Sequence, residues 1–181
     1  MRRLTLFIVV SLTATPLIAK PEAYFSRSGQ IQKHLLTDIA QTQKTLDIAL
    51  FELTAKPLIR ALEEAHRRGV YIRLVIDTGV EHVPVGIDVR RLGGRQGQGI
   101  MHNKFAVFDE RCVTTGSYNW TNNAEHTNYE NMIREDDPDI VHAYQMEFSR
   151  LWSDASPFSQ FFSRHKSRRT HAPKKYRTTY F

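Results

Sequence analysis

Apolar positions along this chain follow two periods, one near two residues and one near 3.6, and they alternate from N- to C-terminus. Ala23-Tyr24-Phe25, within residues 20–26, predicts a first strand. Ile31, Leu35, Leu36, Ile39 and Ala40 recur at helical spacing behind Ser28, which is the expected cap. Leu46 to Phe51 is a short continuous apolar run, the pattern of a buried strand. Thr54 and Pro57 open a second helix whose apolar face is Leu58, Ala61, Leu62 and Ala65, and Gly69 ends it. Val70 to Ile76 and Val85 to Leu92 read as further strands. Ile100 to Phe108 and Cys112 to Thr115 form a hairpin across Asp109-Glu110-Arg111. Asn119 to Asn128 reads as a polar loop, and Tyr129 to Arg134 as a short strand. Asp137 caps a last helix with Pro138 in its first turn and Ile140, Val141, Tyr144, Phe148, Leu151 and Trp152 as its core face.

Strands that alternate with helices imply an α/β layered fold around a central sheet. At 181 residues the chain is large enough for one core and too small for two domains. Its 41 % apolar and 24 % charged residues are ordinary for a globular protein. The single cysteine, Cys112, excludes an intrachain disulfide and a thiolate zinc cage, and its apolar neighbours predict a buried thiol.

The two ends change the picture. Met1-Arg2-Arg3, the apolar run Leu4 to Leu12 and the small residues before Ala19 describe a secretory signal peptide over 1–19. Retention as a membrane anchor is the competing reading. Cleavage implies a bacterial periplasmic or secreted protein without stable membrane insertion. Residues 20–160 then form the folded domain and 161–181 a basic tail. Residues 164–181 hold seven Lys or Arg and no acid, so the net charge of +6 belongs to the tail and the remainder sums to −1. Arg164, Lys166, Arg168 and Arg169, interleaved with aromatics, suit phosphate backbones and base stacking. Anionic lipid head groups would attract the same charges.

The chemistry sits in one stretch. His102-Asn103-Lys104 enters the apolar run Phe105 to Phe108, Asp109 follows, and Gly116-Ser117-Tyr118-Asn119 comes after six intervening residues. On a strand His102 and Lys104 share a face, which sets a nucleophile or base beside a fixed cation. Ser117 and Asn119 add donors for phosphate oxygens. Gly93 to Gly99 carries four glycines without a Lys-Ser/Thr ending, so it is no P-loop; it reads as a loop beside the site or as a plain linker. Glu135-Asp136-Asp137-Pro138-Asp139 reads as a helix start rather than a metal cluster.

This H-x-K-x4-D-x6-G-S-x-N pattern resembles the signature of the phospholipase D superfamily. The Arg67-Arg68-Gly69-Val70 junction is similar to the family's helix–strand segment, and Glu130 sits where the family places a carboxylate that orients the histidine. The resemblance covers roughly residues 22–152 and includes one motif, as in the small bacterial endonucleases and the mitochondrial phosphodiesterase branch. It implies a mixed β-sheet sandwiched between helices, a homodimer with a shared site, and phosphohistidine chemistry at His102 without a metal or other cofactor. Lys104, Ser117 and Asn119 would bind the phosphate, Glu130 would hold His102, and Asp109 would serve the site or, more simply, brace the strand end. The expected substrate is DNA, with RNA as an extension, cleaved without sequence specificity. A phospholipase D-type lipid phosphodiesterase is the alternative, and a non-catalytic DNA-binding module is a third reading.

Overall fold

The computed structural model describes residues 20–157 apart from Gly29 and Glu81. The expected signal peptide and basic tail, with Arg164, Lys166, Arg168 and Arg169, lie outside the described residues.

Eight strands form one mixed sheet. They are β1 (Glu22–Phe25), β2 (Thr45–Leu50), β3 (Tyr71–Asp77), β4 (Asp88–Leu92), β5 (Lys104–Phe108), β6 (Cys112–Gly116), β7 (Asn131–Glu135) and β8 (Ser156–Pro157). Their order across the sheet is β1-β7-β6-β5-β2-β3-β4-β8. β2, β3 and β4 run parallel, and the remaining pairings are antiparallel.

The sheet is covered on both faces, which is why β2 reads as a nearly unbroken apolar run. Leu46, Ile48 and Leu50 of β2 point with Ile72, Leu74 and Ile76 of β3 toward helices α1 (Ile31–Gln41) and α2 (Lys56–Arg67). Ala49, Val75, Phe105, Val107 and Val113 point the other way, toward Val141 and Phe148 of α4 (Pro138–Asp154). Asp47 and Arg73 also lie on this second face. Arg73 makes two hydrogen bonds to the Asp47 carboxylate, at 2.7 and 2.6 Å, and its guanidinium stacks 4.9 Å from the Phe148 ring centre. A half-buried cation is tolerated there because its donors are matched and its flat face is covered.

Most element boundaries match the sequence pattern, and the exceptions have local causes. Ser28 does not cap α1. It lies in a 3-10 turn over Ser26–Ser28, where its hydroxyl donates to the carbonyl of Phe25 at 2.7 Å. Residues 119–128 are not all loop. Thr121 accepts the N–H of Ala124 at 3.1 Å and caps a short helix, α3 (Asn122–His126). Asp137 does cap α4, accepting from Asp139 and Ile140 at 2.9 and 3.1 Å. Ile140, however, is 45 % exposed, while the adjacent Val141 takes the core-facing position and is buried.

Candidate active site

The sheet brings the chemistry to one edge. β5 runs antiparallel to β2, so Lys104, its first residue, pairs with Leu50, the last of β2. β6 ends at Gly116 beside Met132 near the start of β7. The ends of β2, β3 and β6 and the beginnings of β5 and β7 therefore meet along one line. His102, Lys104, Ser117, Asn119 and Glu130 all sit on it.

His102 lies just before β5, in an irregular segment held from both sides. Phe51 donates its N–H to the carbonyl of Asn103 at 3.0 Å, which extends the β2–β5 ladder by one rung. On the other side, Met101 donates its N–H to Asp77 at 3.0 Å. The second carboxylate oxygen of Asp77 accepts from Gly79 at 2.8 Å, so this buried acid ties the end of β3 to the histidine segment. The Phe51 ring lies 5.1 Å from the His102 ring, centre to centre, at an angle of 56°. Among the described residues, the ring nitrogens of His102 make no hydrogen bond.

Lys104 is buried, and its ammonium donates to the carbonyl oxygen of His102 at 2.6 Å. It also stands 5.3 Å from the centre of the Phe51 ring. The pKa values of both groups are depressed. Partial desolvation lowers His102 first, the Lys104 charge lowers it further, and Asp77 partly offsets both. Burial lowers Lys104, against an opposing pull from Glu130. A neutral imidazole next to an ammonium is the charge state that nucleophilic attack on a phosphodiester requires.

Gly116 is required by space. A Cβ there would collide with the carbonyl oxygen of Asn131, so only glycine lets β6 and β7 close at this point. The closure places Ser117, whose N–H donates to the carbonyl of Asn131 at 3.1 Å. The Ser117 hydroxyl donates to Glu130 in a short hydrogen bond and accepts from the N–H of Asn131 at 3.1 Å. Asn128 donates to the other Glu130 oxygen at 3.0 Å. The amide oxygen of Asn119 is buried without a partner among the described residues, an unspent polar group at the site edge.

Two expectations change here. Within the chain Glu130 makes no hydrogen bond to His102; its two oxygens accept from Ser117 and Asn128 instead. Asp109 is not brought to the site. It sits at the far end of β5, where its carboxylate accepts the N–H groups of Gln43, Lys44 and Thr45 at 2.9, 2.7 and 3.0 Å. It thus clamps the start of β2 to the β5–β6 turn, in keeping with the strand-bracing reading.

Asp77 and Phe51 are the residues that the sequence pattern did not single out. The available signal was slight: each directly follows a buried apolar strand run. Glu52 is half-buried beside Phe51, at the mouth of a cleft that also reaches Asp77.

Comparison with known proteins agrees with this geometry. A family model described as cardiolipin synthase, PLD-like domain, matches residues 35–152. A mitochondrial cardiolipin hydrolase of Xenopus tropicalis is 40 % identical over 137 residues, covering 71 % of this chain and 64 % of that protein. This chain therefore spans slightly less than two thirds of that relative's length. Among solved structures, a phospholipase D family member, Nuc from Salmonella typhimurium, superimposes with a TM-score of 0.69 at 23 % identity, covering 77 % of this chain and 97 % of that one. NucT from Helicobacter pylori gives 0.68 at 21 % identity, covering 77 % and 99 %. These two likenesses establish the fold.

The comparisons also correct the expected location. Curated relatives from frogs, human and a green alga are named as mitochondrial cardiolipin hydrolases, not as periplasmic or secreted proteins. A basic start followed by a short apolar run encodes affinity for a membrane but not which membrane, so the export reading of residues 1–19 does not hold. Among the described residues, no helix is long and apolar enough to cross a membrane.

Proposed function

This chain belongs to the phospholipase D superfamily, and on that premise we propose that it is a metal-independent phosphodiesterase that cleaves nucleic acid through a phosphohistidine. The observation that carries the chemistry is the His102–Lys104 pair. A depressed imidazole and a buried ammonium sit together at an open sheet edge beside Ser117 and Asn119. The observation that favours nucleic acid is the run of seven cations interleaved with aromatics after residue 163.

In this reading His102 attacks phosphorus as a neutral imidazole. The bond to the leaving alkoxide breaks and a nitrogen–phosphorus bond forms. A second group must give the alkoxide its proton and later take one from the attacking water. Among the described residues no second histidine stands against the His102–Lys104 pair, so this reading calls for two copies around a two-fold axis, with His102 of the partner subunit as that acid and base. The free ring nitrogens of His102 fit the same arrangement, since the in-chain Glu130 is engaged elsewhere and an orienting carboxylate would come from the partner. Lys104 and Asn119 would hold the non-bridging oxygens.

A second reading, hydrolysis of cardiolipin, is favoured by the names of the curated relatives at 31–40 % identity. One comparison separates the two. Purified protein is given supercoiled plasmid and cardiolipin vesicles in parallel, each in EDTA, with His102→Ala as control. Plasmid nicking by wild type alone supports the first reading. Phosphatidic acid release without nicking supports the second. Mixing wild type with His102→Ala tests the shared site, because mixed dimers would lose turnover; full activity of an isolated monomer would refute it.

A further inference from the structure

A cleft of about 370 Å3 opens beside Phe51. Its walls include Phe51, Glu52, Thr54, Asp77, Val80 and His82. The volume is at the lower end of the range for small-molecule pockets. Phe51 belongs to both compartments, since its ring touches His102 and the Lys104 ammonium and also lines the cleft. Whatever fills the cleft thus packs against the ring that also covers the His102–Lys104 pair.

The charges decide what can fill it. Among the described residues that line the cleft there is no lysine or arginine, whereas Glu52 and Asp77 bring two carboxylates and His82 an imidazole. A second phosphate would meet repulsion and no counter-charge there. An uncharged planar group with N–H donors meets the opposite: a ring to stack on and an acceptor to bond. Asp77 is the less available acceptor, since it is buried and each of its oxygens already accepts one backbone N–H, from Gly79 and from Met101. Glu52 is the more available one. Its main-chain carbonyl accepts from Trp120 at 3.2 Å, and Thr54 and Ala55 both donate to the carbonyl of Trp120 at 2.9 Å, so its backbone is fixed. Its carboxylate makes no hydrogen bond among the described residues and is half-buried at the mouth.

We infer that this cleft is a nucleobase subsite, in which Phe51 stacks the base next to the scissile phosphate and Glu52 accepts from its exocyclic amino group. The inference rests on the nucleic-acid reading above and adds a bias at one flanking position to otherwise backbone-directed cleavage. A carboxylate accepts from the amino groups of cytosine, adenine and guanine. Thymine has none, and its carbonyl oxygens face the carboxylate unfavourably.

The test uses single-stranded oligothymidine carrying one central dG, dC or dA, with cleavage positions mapped on a gel. Bis(4-nitrophenyl) phosphate serves as a base-free substrate. Wild type is expected to cut the bond flanking the substituted base roughly tenfold faster than thymidine–thymidine bonds. Glu52→Ala is expected to bring that ratio close to one, and Glu52→Gln, which keeps an acceptor without the charge, to an intermediate value. The ratio is read within one sample, so a partly misfolded variant still reports it. Even cutting at every bond by wild type, or an unchanged ratio in Glu52→Ala, overturns the subsite and leaves the nuclease reading intact. Turnover of bis(4-nitrophenyl) phosphate with no oligonucleotide cut at all overturns both.

Discussion

Lys104 donates its ammonium to the main-chain carbonyl of His102 at 2.6 Å, from a side chain that is 9 % exposed. The two motif residues are thereby locked to each other before any substrate arrives, and the ammonium is partly stripped of water. A charge held in this way needs no reorganisation when negative charge builds on a phosphoryl oxygen. Lys104→Met should lower kcat about a hundredfold to a thousandfold with a smaller change in KM, measured by steady-state kinetics on a soluble phosphodiester. An equal loss confined to KM would assign Lys104 to substrate binding alone.

The same contact sets a pH dependence. Desolvation and the Lys104 charge both disfavour the imidazolium of His102, so its pKa lies below the ordinary value of 6.5. The neutral nucleophile therefore persists on the acid side of that value, and the acid limb of kcat/KM should fall below pH 6.5. Removing the Lys104 charge favours the protonated ring, so Lys104→Met should move this limb to higher pH. A limb that stays in place would show that Lys104 does not act on the titration of His102.

Asp77 links two segments through hydrogen bonds of 2.8 and 3.0 Å, one of them to the residue before His102. Asp77→Asn keeps the shape but removes the charge and one acceptor. Because the Asp77 charge raises the His102 pKa, the variant should shift the acid limb downward, opposite to Lys104→Met. The profiles of the two variants, compared in one buffer series, provide the check.

Asp109 is expected to act on stability. Burial pushes its pKa up, but three backbone N–H groups and the Arg111 charge outweigh this, and the net shift is downward from 3.8. A carboxylate whose folded pKa is depressed stabilises the fold above its unfolded value, and that contribution is lost as pH falls through the folded one. Asp109→Ala should lower unfolding free energy by about 2 kcal/mol near neutral pH, with the deficit shrinking in acid. Denaturant titrations at pH 7 and pH 3 measure both, while kcat of the folded fraction should fall far less than in His102→Ala.

Cys112 is buried, and burial raises its thiol pKa to about 12. Thiolate is therefore scarce at neutral pH, and the residue is only 7 % exposed. Native protein should react with a thiol-specific disulfide reagent far more slowly than protein in denaturant. Rapid stoichiometric labelling of the native form would contradict the burial of β6.

Much of this molecule is legible in its sequence because it depends on local rules. Periodicity marks the strands and the three long helices, since the faces that repeat every two or 3.6 residues are the faces that the sheet buries. Fixed spacing from His102 to Asn119 marks the candidate site, because strand geometry sets which side chains can share a face. Asp137 and Pro138 announce α4 through helix-end chemistry that involves only their neighbours. The tertiary structure decided the rest. Glu130 lies where the motif leads one to expect it, yet whether it faces His102 or Ser117 depends on how β6 and β7 close around Gly116. Asp109 and His102 stand seven residues apart in the same motif, but five residues of extended β5 separate them to opposite ends of the sheet. Asp77 and Phe51 come up against the histidine segment only because β2 and β3 run parallel and end where β5 begins. Contacts of that kind are set by strand order and register, which short stretches of sequence do not encode, and so they became visible only in the folded chain.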